Sequence, residues 1–282
     1  MKISEQLLEE FRQYLRNRES SPRTIEKYMR DVRRMKSLIG AELQTREQLI
    51  SFKEKLQKAG YAVRSVNSMI SAINTFVAFC GRPDWKLKFL KLQRTVFTDG
   101  TREMRKTDYV RLVKQARRMG NERMDMILQT ICATGIRVSE IRAITVESLR
   151  TGIAIIQSKG KIRQILIPRT LIRLLKAYCR KNGVVRGCVF QTKYGNVPDR
   201  SNLWKQMKKL AENARVSKRR VFPHNLRSLF ARSFYQKYRD IVRLADILGH
   251  SSIDTTRIYT IKNSRSELQR LEALGLFVQS TT

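Results

Sequence analysis

The chain holds only two histidines, and both fall at junctions between helical segments. His224 lies in Pro223-His224-Asn225-Leu226-Arg227, so an imidazole and a guanidinium stand three residues apart at the start of a helix and share one face. His250 follows Leu248-Gly249, where the glycine ends one helix and leaves the ring at the mouth of the next. Nine residues further on comes Tyr259, within Thr255-Thr256-Arg257-Ile258-Tyr259-Thr260. A phenol with a pKa near about 10 is a poor nucleophile at neutral pH and needs a base. An imidazole can serve as that base, and always-charged arginine forks can hold developing negative charge. Each residue taken singly also has a plain structural account, because a lone histidine is more often structural and one tyrosine of nine is commonly a half-buried core residue. Two histidines at helix junctions, each near an arginine or a tyrosine, weigh against it.

The segments that must position these residues read mainly as helices. One runs from a cap at Thr107 to about Arg118 and a second spans 121–133, with Thr134-Gly135 stopping it. A strand pair follows, 153–157 and 162–168, around the turn Ser158-Lys159-Gly160-Lys161. Helices are then expected over 170–180, 200–214, 225–237, 241–248, 253–259 and 266–274. The first eighty residues read as four further helices on a common core. Ser21 before Pro22 caps one whose stripe Ile25, Tyr28, Met29, Val32, Met35 and Ile39 points inward. Arg23, Lys27, Arg30 and Arg34 line up along a separate face, either solvated or turned to a polyanion. A third helix spans about 45–58 and ends at Gly60. A fourth carries Val63, Val66, Ile70, Ile73 and Val77, with Ser, Asn and Thr opposite, suited to sugar and phosphate or to water. Residues 81–103 lose periodicity. The expected organisation is a helical domain over 1–81, a linker over 82–102 and a second domain over 103–282 with a C-terminal helix. The class is mainly α with a small β-sheet (α+β).

Charge is the strongest global signal, since 58 Lys and Arg against 24 Asp and Glu leave +34 over 282 residues. A polyanion is the natural partner, bound in a salt-dependent way through counterion release. No stretch reaches the roughly 18 uninterrupted apolar residues of a spanning helix. The opening Met1-Lys2-Ile3-Ser4-Glu5 places an acid where a secretory signal would be apolar, so a cytoplasmic protein is expected. Cys80, Cys132, Cys179 and Cys188 form no Cys-x-x-Cys pair, and neither disulfides nor zinc are expected.

Three boxes in order carry a family resemblance. Ala133-Thr134-Gly135-Ile136-Arg137-Val138-Ser139-Glu140-Ile141 looks like the first arginine box of the tyrosine recombinase (phage-type integrase) family, and Pro223-His224-Asn225-Leu226-Arg227 looks like its His-x-x-Arg box. Leu248-Gly249-His250-Ser251-Ser252 with Thr255-Thr256 and Tyr259 resembles its C-terminal signature. The resemblance covers essentially the whole chain and implies a four-helix, SAM-like core-binding domain followed by the family's catalytic domain. It implies an active site of Arg137, Lys159, His224, Arg227, His250 and Tyr259, with Lys159 in the hairpin turn. The family's second box is often followed by another histidine, where this chain has Ser228, a departure that bears on subfamily. Arg23, Lys27, Arg30, Arg34, Arg64, Lys161 and Arg163 are the expected DNA-binding residues.

The chemistry implied is opening of a phosphodiester by Tyr259, with a 3′-phosphotyrosyl bond retaining the energy for rejoining. Arg137 and Arg227 would hold the non-bridging oxygens, with a hydrogen bond from His250. His224 would act as base and Lys159 as acid for the departing 5′ oxygen. No cofactor or metal is expected, since there is neither a Gly-x-x-x-x-Gly-Lys loop nor a carboxylate cluster for Mg²⁺. The expected partners are two double-stranded DNA sites and a homotetramer; the apolar segment 264–277 either packs on its own domain or, as the resemblance implies, docks into a neighbouring subunit. The helix starting almost at Met1 leaves no extra N-terminal arm-binding domain, favouring an Xer-like or mobile-element recombinase, with the charge leaning toward the latter. A type IB topoisomerase is one competitor, opposed by the Leu-Gly-His box and the C-terminal helix. A catalytically silent DNA-binding regulator is another, opposed by the intact Arg137, Lys159, Arg227 and Tyr259.

Overall fold

Four amphipathic helices bury their apolar stripes against one another at the start of the chain. In a computed structural model, which describes residues 1–91, 101–158, 161–192, 194–250, 252–259 and 272–273, α1 spans Glu5–Asn17 and α2 spans Pro22–Ile39. The Ser4 hydroxyl accepts the Leu7 N–H at 3.1 Å and the Ser21 hydroxyl accepts the Thr24 N–H at 3.2 Å, satisfying donors that a helix start leaves open. α3 (Arg46–Lys58) and α4 (Val63–Phe79) complete the set, and Phe11, Val32, Leu49, Phe52, Ile70 and Phe76 are buried where the four meet.

The polar side of α4 does something the sequence did not suggest. Asn74 takes the Leu87 N–H at 2.8 Å and donates to the Leu87 carbonyl at 3.0 Å, and Asn67 does the same for Leu90 at 2.8 and 2.9 Å. These paired bonds imitate a strand partner, so they hold an extended segment against the helix and bury Trp85 and Leu87 in the same core. The first unit therefore runs past the expected limit at residue 81, and chain contacts divide the molecule into Met1–Arg94 and Thr95–Thr282.

In the second unit α5 (Lys106–Arg118) and α6 (Glu122–Thr134) form a helical pair. The cap of α5 is Arg105, whose N–H donates to Asp108 at 3.1 Å, rather than the expected Thr107. A 3₁₀ turn, Val138–Ala143, and a short α7 (Val146–Thr151) follow, both too brief for periodicity to reveal. β1 (Ile153–Ser158) and β2 (Lys161–Leu166) pair antiparallel from Ile153 opposite Leu166 to Ser158 opposite Lys161. Alternation sends Ala154, Ile156 and Ile165 into the core and leaves Ile155 and Leu166 exposed. α8 (Arg169–Lys181), α9 (Arg200–Asn213) and α10 (Pro223–Tyr238) pack around this core, followed by α11 (Ile241–Leu248) and α12 (Ile253–Arg257). Helix α12 ends before Tyr259, which sits in the turn after it with its N–H bonded to the Thr256 carbonyl at 3.0 Å. The expected helix over 266–274 lies, apart from residues 272–273, outside the described residues. Among the described residues no helix is long and apolar enough to cross a membrane.

Phe11 meets Phe76 edge to face at 5.1 Å and is fully buried. Phe11→Ala is expected to destabilise the first unit by about 3–5 kcal/mol. Denaturation of the full chain, with hydrogen exchange followed in α1 and α4, measures the loss.

Candidate active site

One turn into α10, Arg227 is 2% exposed and both terminal nitrogens of its guanidinium are hydrogen-bonded. Nη1 donates to the Gly135 carbonyl at 2.6 Å, and Nη2 donates to the Leu248 carbonyl at 2.7 Å and meets His250 Nε2 at 3.0 Å. Those two carbonyls belong to the ends of α6 and α11, each terminated by a left-handed glycine, Gly135 at φ 65° and Gly249 at φ 64°. Two helix C-termini thus point their negative poles at one cation. Burial first, then the charges of Arg137 and Arg163, pull the Arg227 pKa down to about 10, which leaves it charged at neutral pH.

Arg137 begins the 3₁₀ turn after Gly135 and keeps its side chain 42% exposed. Its Nη1 donates to Glu140 at 2.8 Å, and Arg163 of β2 donates to the other carboxylate oxygen. Burial pushes the Glu140 pKa up, but the bonds from Arg137 and the field of Arg163 outweigh it, so the group is an anion. Arg163 also donates to the Ile247 carbonyl at 3.1 Å. Arg137, Glu140, Arg163, Gly249 and His250 line an open cleft of about 1120 Å³.

Tyr259 is 5% exposed and packs on Ala231, Leu244 and Leu248, yet its ring borders both imidazoles. The ring centroid lies 6.2 Å from that of His250, stacked, and 6.5 Å from that of His224. A phenolate there is near enough to Arg227 to raise the guanidinium pKa. His224 is an exposed residue, yet the protein around its ring, followed by Arg227 and Arg137, lowers its pKa. His250 is pulled from 6.5 to about 4, first by burial and then by Arg227, Arg137 and Arg163. Ser228 spends its hydroxyl on the His224 carbonyl at 2.9 Å.

The fold therefore gathers Arg137, His224, Arg227, His250 and Tyr259. Lys159 and the side chain of Lys161 lie outside the described residues. Arg163, expected to contact DNA, turns inward with 15% of its side chain exposed and is committed to Glu140 and a helix end. Lys27 likewise turns inward, to the buried Asp31 at 2.6 Å and the Ser68 carbonyl at 2.9 Å, while Arg23, Arg30, Arg34 and Arg64 remain exposed. Sequence reasoning missed Glu140, although an acid three residues after Arg137 was the available signal. The Nε2 of His250 lies 3.0 Å from Arg227 Nη2.

The site thus combines a buried arginine, a second one in an open cleft, and a tyrosine beside two histidines of lowered pKa. The family model for the phage integrase family matches residues 102–265, and that for the phage integrase N-terminal SAM-like domain matches 8–82. Tyrosine recombinase XerA of Thermococcus onnurineus is 30% identical over 275 residues, 92% of each chain. The solved lambda integrase(75–356) dimer bound to a COC′ core site matches with TM-score 0.72 at 14% identity, over 92% of this chain and 95% of that one. XerH site-specific recombinase bound to palindromic difH, a post-cleavage complex, matches with TM-score 0.69 at 19% identity, over 95% and 83%. The chain belongs to the phage integrase family. It is a tyrosine-type site-specific DNA recombinase.

Two outcomes follow from the packing. Ala at position 249 would put its Cβ 2.4 Å from Arg163 Cδ in a left-handed backbone, so Gly249→Ala should cost at least about 1–2 kcal/mol. Thermal melts of the variant read it directly. His250 is neutral in the folded state down to about pH 4 but protonates near 6.5 when unfolded, so the unfolded chain binds the extra proton. Stability of the second unit is therefore expected to fall as pH drops from about 6.5 toward about 4, with ring NMR showing His250 still neutral at intermediate pH.

Proposed function

We propose that Tyr259 opens a DNA strand by attacking a backbone phosphorus, forming a 3′-phosphotyrosyl bond and releasing a 5′ hydroxyl. Arg227 and Arg137 hold the non-bridging oxygens, and His224 takes the phenolic proton, as its lowered pKa suits. Lys159, which falls in sequence between the ends of β1 and β2, protonates the departing oxygen. A 5′ hydroxyl from a second strand reverses the steps, so the phosphotyrosyl bond conserves the energy and no nucleotide is consumed. The observation that carries this reading is the Arg227 guanidinium, charged, buried and, among the described residues, bonded to two carbonyls and an imidazole.

The reaction unites two double-stranded sites held by four copies of the chain. A solved lambda integrase tetramer is bound to a Holliday junction, which supports that stoichiometry. Residues 1–81 grip the duplex, with Arg23, Arg30, Arg34 and Arg64 as exposed cations for its phosphates, and 103–282 perform the chemistry. The apolar run Leu268, Leu271, Leu274, Leu276 and Phe277 supports exchange of the C-terminal segment between copies. The protein acts in the cytoplasm.

The test incubates the protein with nicked candidate-site DNA and looks for an SDS-resistant adduct. Tyr259→Phe should abolish the adduct while leaving binding intact, and Arg227→Lys should slow its formation by about 10²–10³. An adduct formed normally by Tyr259→Phe rules out the proposed nucleophile.

A further inference from the structure

The imidazole of His250 is bonded at both nitrogens, and the partners dictate where its proton sits. Nε2 lies 3.0 Å from Arg227 Nη2, and a guanidinium has hydrogens to give but no lone pair to receive one. Nε2 must therefore accept, which requires a neutral ring with its proton on Nδ1. Nδ1 lies 2.8 Å from Thr256 Oγ1, a fully buried hydroxyl able to receive that proton's hydrogen bond. Thr256 stands on α12, and its own carbonyl accepts the Tyr259 N–H at 3.0 Å. One residue thus touches both the histidine that braces Arg227 and the backbone of the tyrosine.

We propose that Thr256 is a positioning residue that locks His250 in the Nδ1–H tautomer and thereby fastens the tyrosine-bearing turn to Arg227. Free imidazole prefers its proton on Nε2, a form that would set two donors facing each other at Arg227. Thr256 Oγ1 reverses that preference by rewarding the proton on Nδ1. Its bond therefore does two jobs: it leaves a lone pair aimed at the guanidinium, and it sets α12 at a fixed distance from Arg227. The chain Arg227–His250–Thr256–Tyr259 then makes the placement of the nucleophile and of the charge that receives the phosphate a single structural event. This inference rests on the roles proposed above for Arg227 and Tyr259, but its first readout needs neither DNA nor turnover.

The experiment labels the two histidines of the full chain with ¹⁵N and records their ring tautomers by long-range proton–nitrogen correlation, with a His224→Gln variant to assign the signals. Wild-type His250 should carry its proton on Nδ1. Thr256→Val, which keeps the shape and removes the acceptor, should move the proton to Nε2 and slow adduct formation on nicked DNA by about tenfold, with DNA affinity unchanged. Thr256→Ser should restore both the tautomer and the rate. A wild-type ring protonated on Nε2 overturns the proposal, and this measurement stands even if the valine variant folds poorly. So does a valine variant whose tautomer or adduct rate matches wild type. Loss of the tyrosine's role would appear separately, as an adduct surviving in Tyr259→Phe.

Discussion

A positive charge buried with no carboxylate bonded to it among the described residues is the constraint around which the second unit is arranged. Removing a cation from water costs several kcal/mol even after relaxation. The Arg227 guanidinium offsets that cost with the carbonyl ends of α6 and α11 and with a neutral imidazole. Helix C-termini contribute up to about 2 kcal/mol each to a partly buried cation, and they do so without neutralising it. The charge remains available to a phosphate.

Keeping two helix ends aimed at one point places strict demands on the backbone. Both helices stop at a glycine with positive φ, and in both places a side chain occupies the space that a Cβ would need. Phe230 lies 2.5 Å from the position a Cβ would take at Gly135, and Arg163 lies 2.4 Å from that at Gly249. Glycine is thus required twice over, for the turn and for the contact. The second contact also explains why Arg163 faces inward. Its stem covers Gly249 while its head bonds Glu140, which in turn holds Arg137 at the edge of the cleft. Segments more than a hundred residues apart are joined through charged and polar bonds over a hydrophobic base.

The first unit follows a different principle. It buries an ordinary aliphatic and aromatic core and uses the amide side chains of α4 to hold an extended segment. Four of its five expected DNA-facing cations stay exposed, so its contribution to binding a polyanion is a charged surface more than a shaped pocket. Lys27 is the exception because Asp31, one helical turn away, is buried and needs a partner.

Much of this was legible along the chain. Apolar spacing located the long helices, Ser21-Pro22 and Gly135 marked where two of them begin and end, and alternation located the hairpin, because these features depend on neighbours within a few residues. The order and identity of the arginine, histidine and tyrosine boxes pointed to a site and to the kind of chemistry it performs. What escaped were pairings across long separations: Glu140 with Arg163, Asn74 with Leu87, and Arg227 with Gly135. A residue's type announces that it can donate or accept a hydrogen bond. Which partner it finds is decided only when packing brings distant backbone ends to the same place, and so it was the tertiary structure that set Arg227 beside His250.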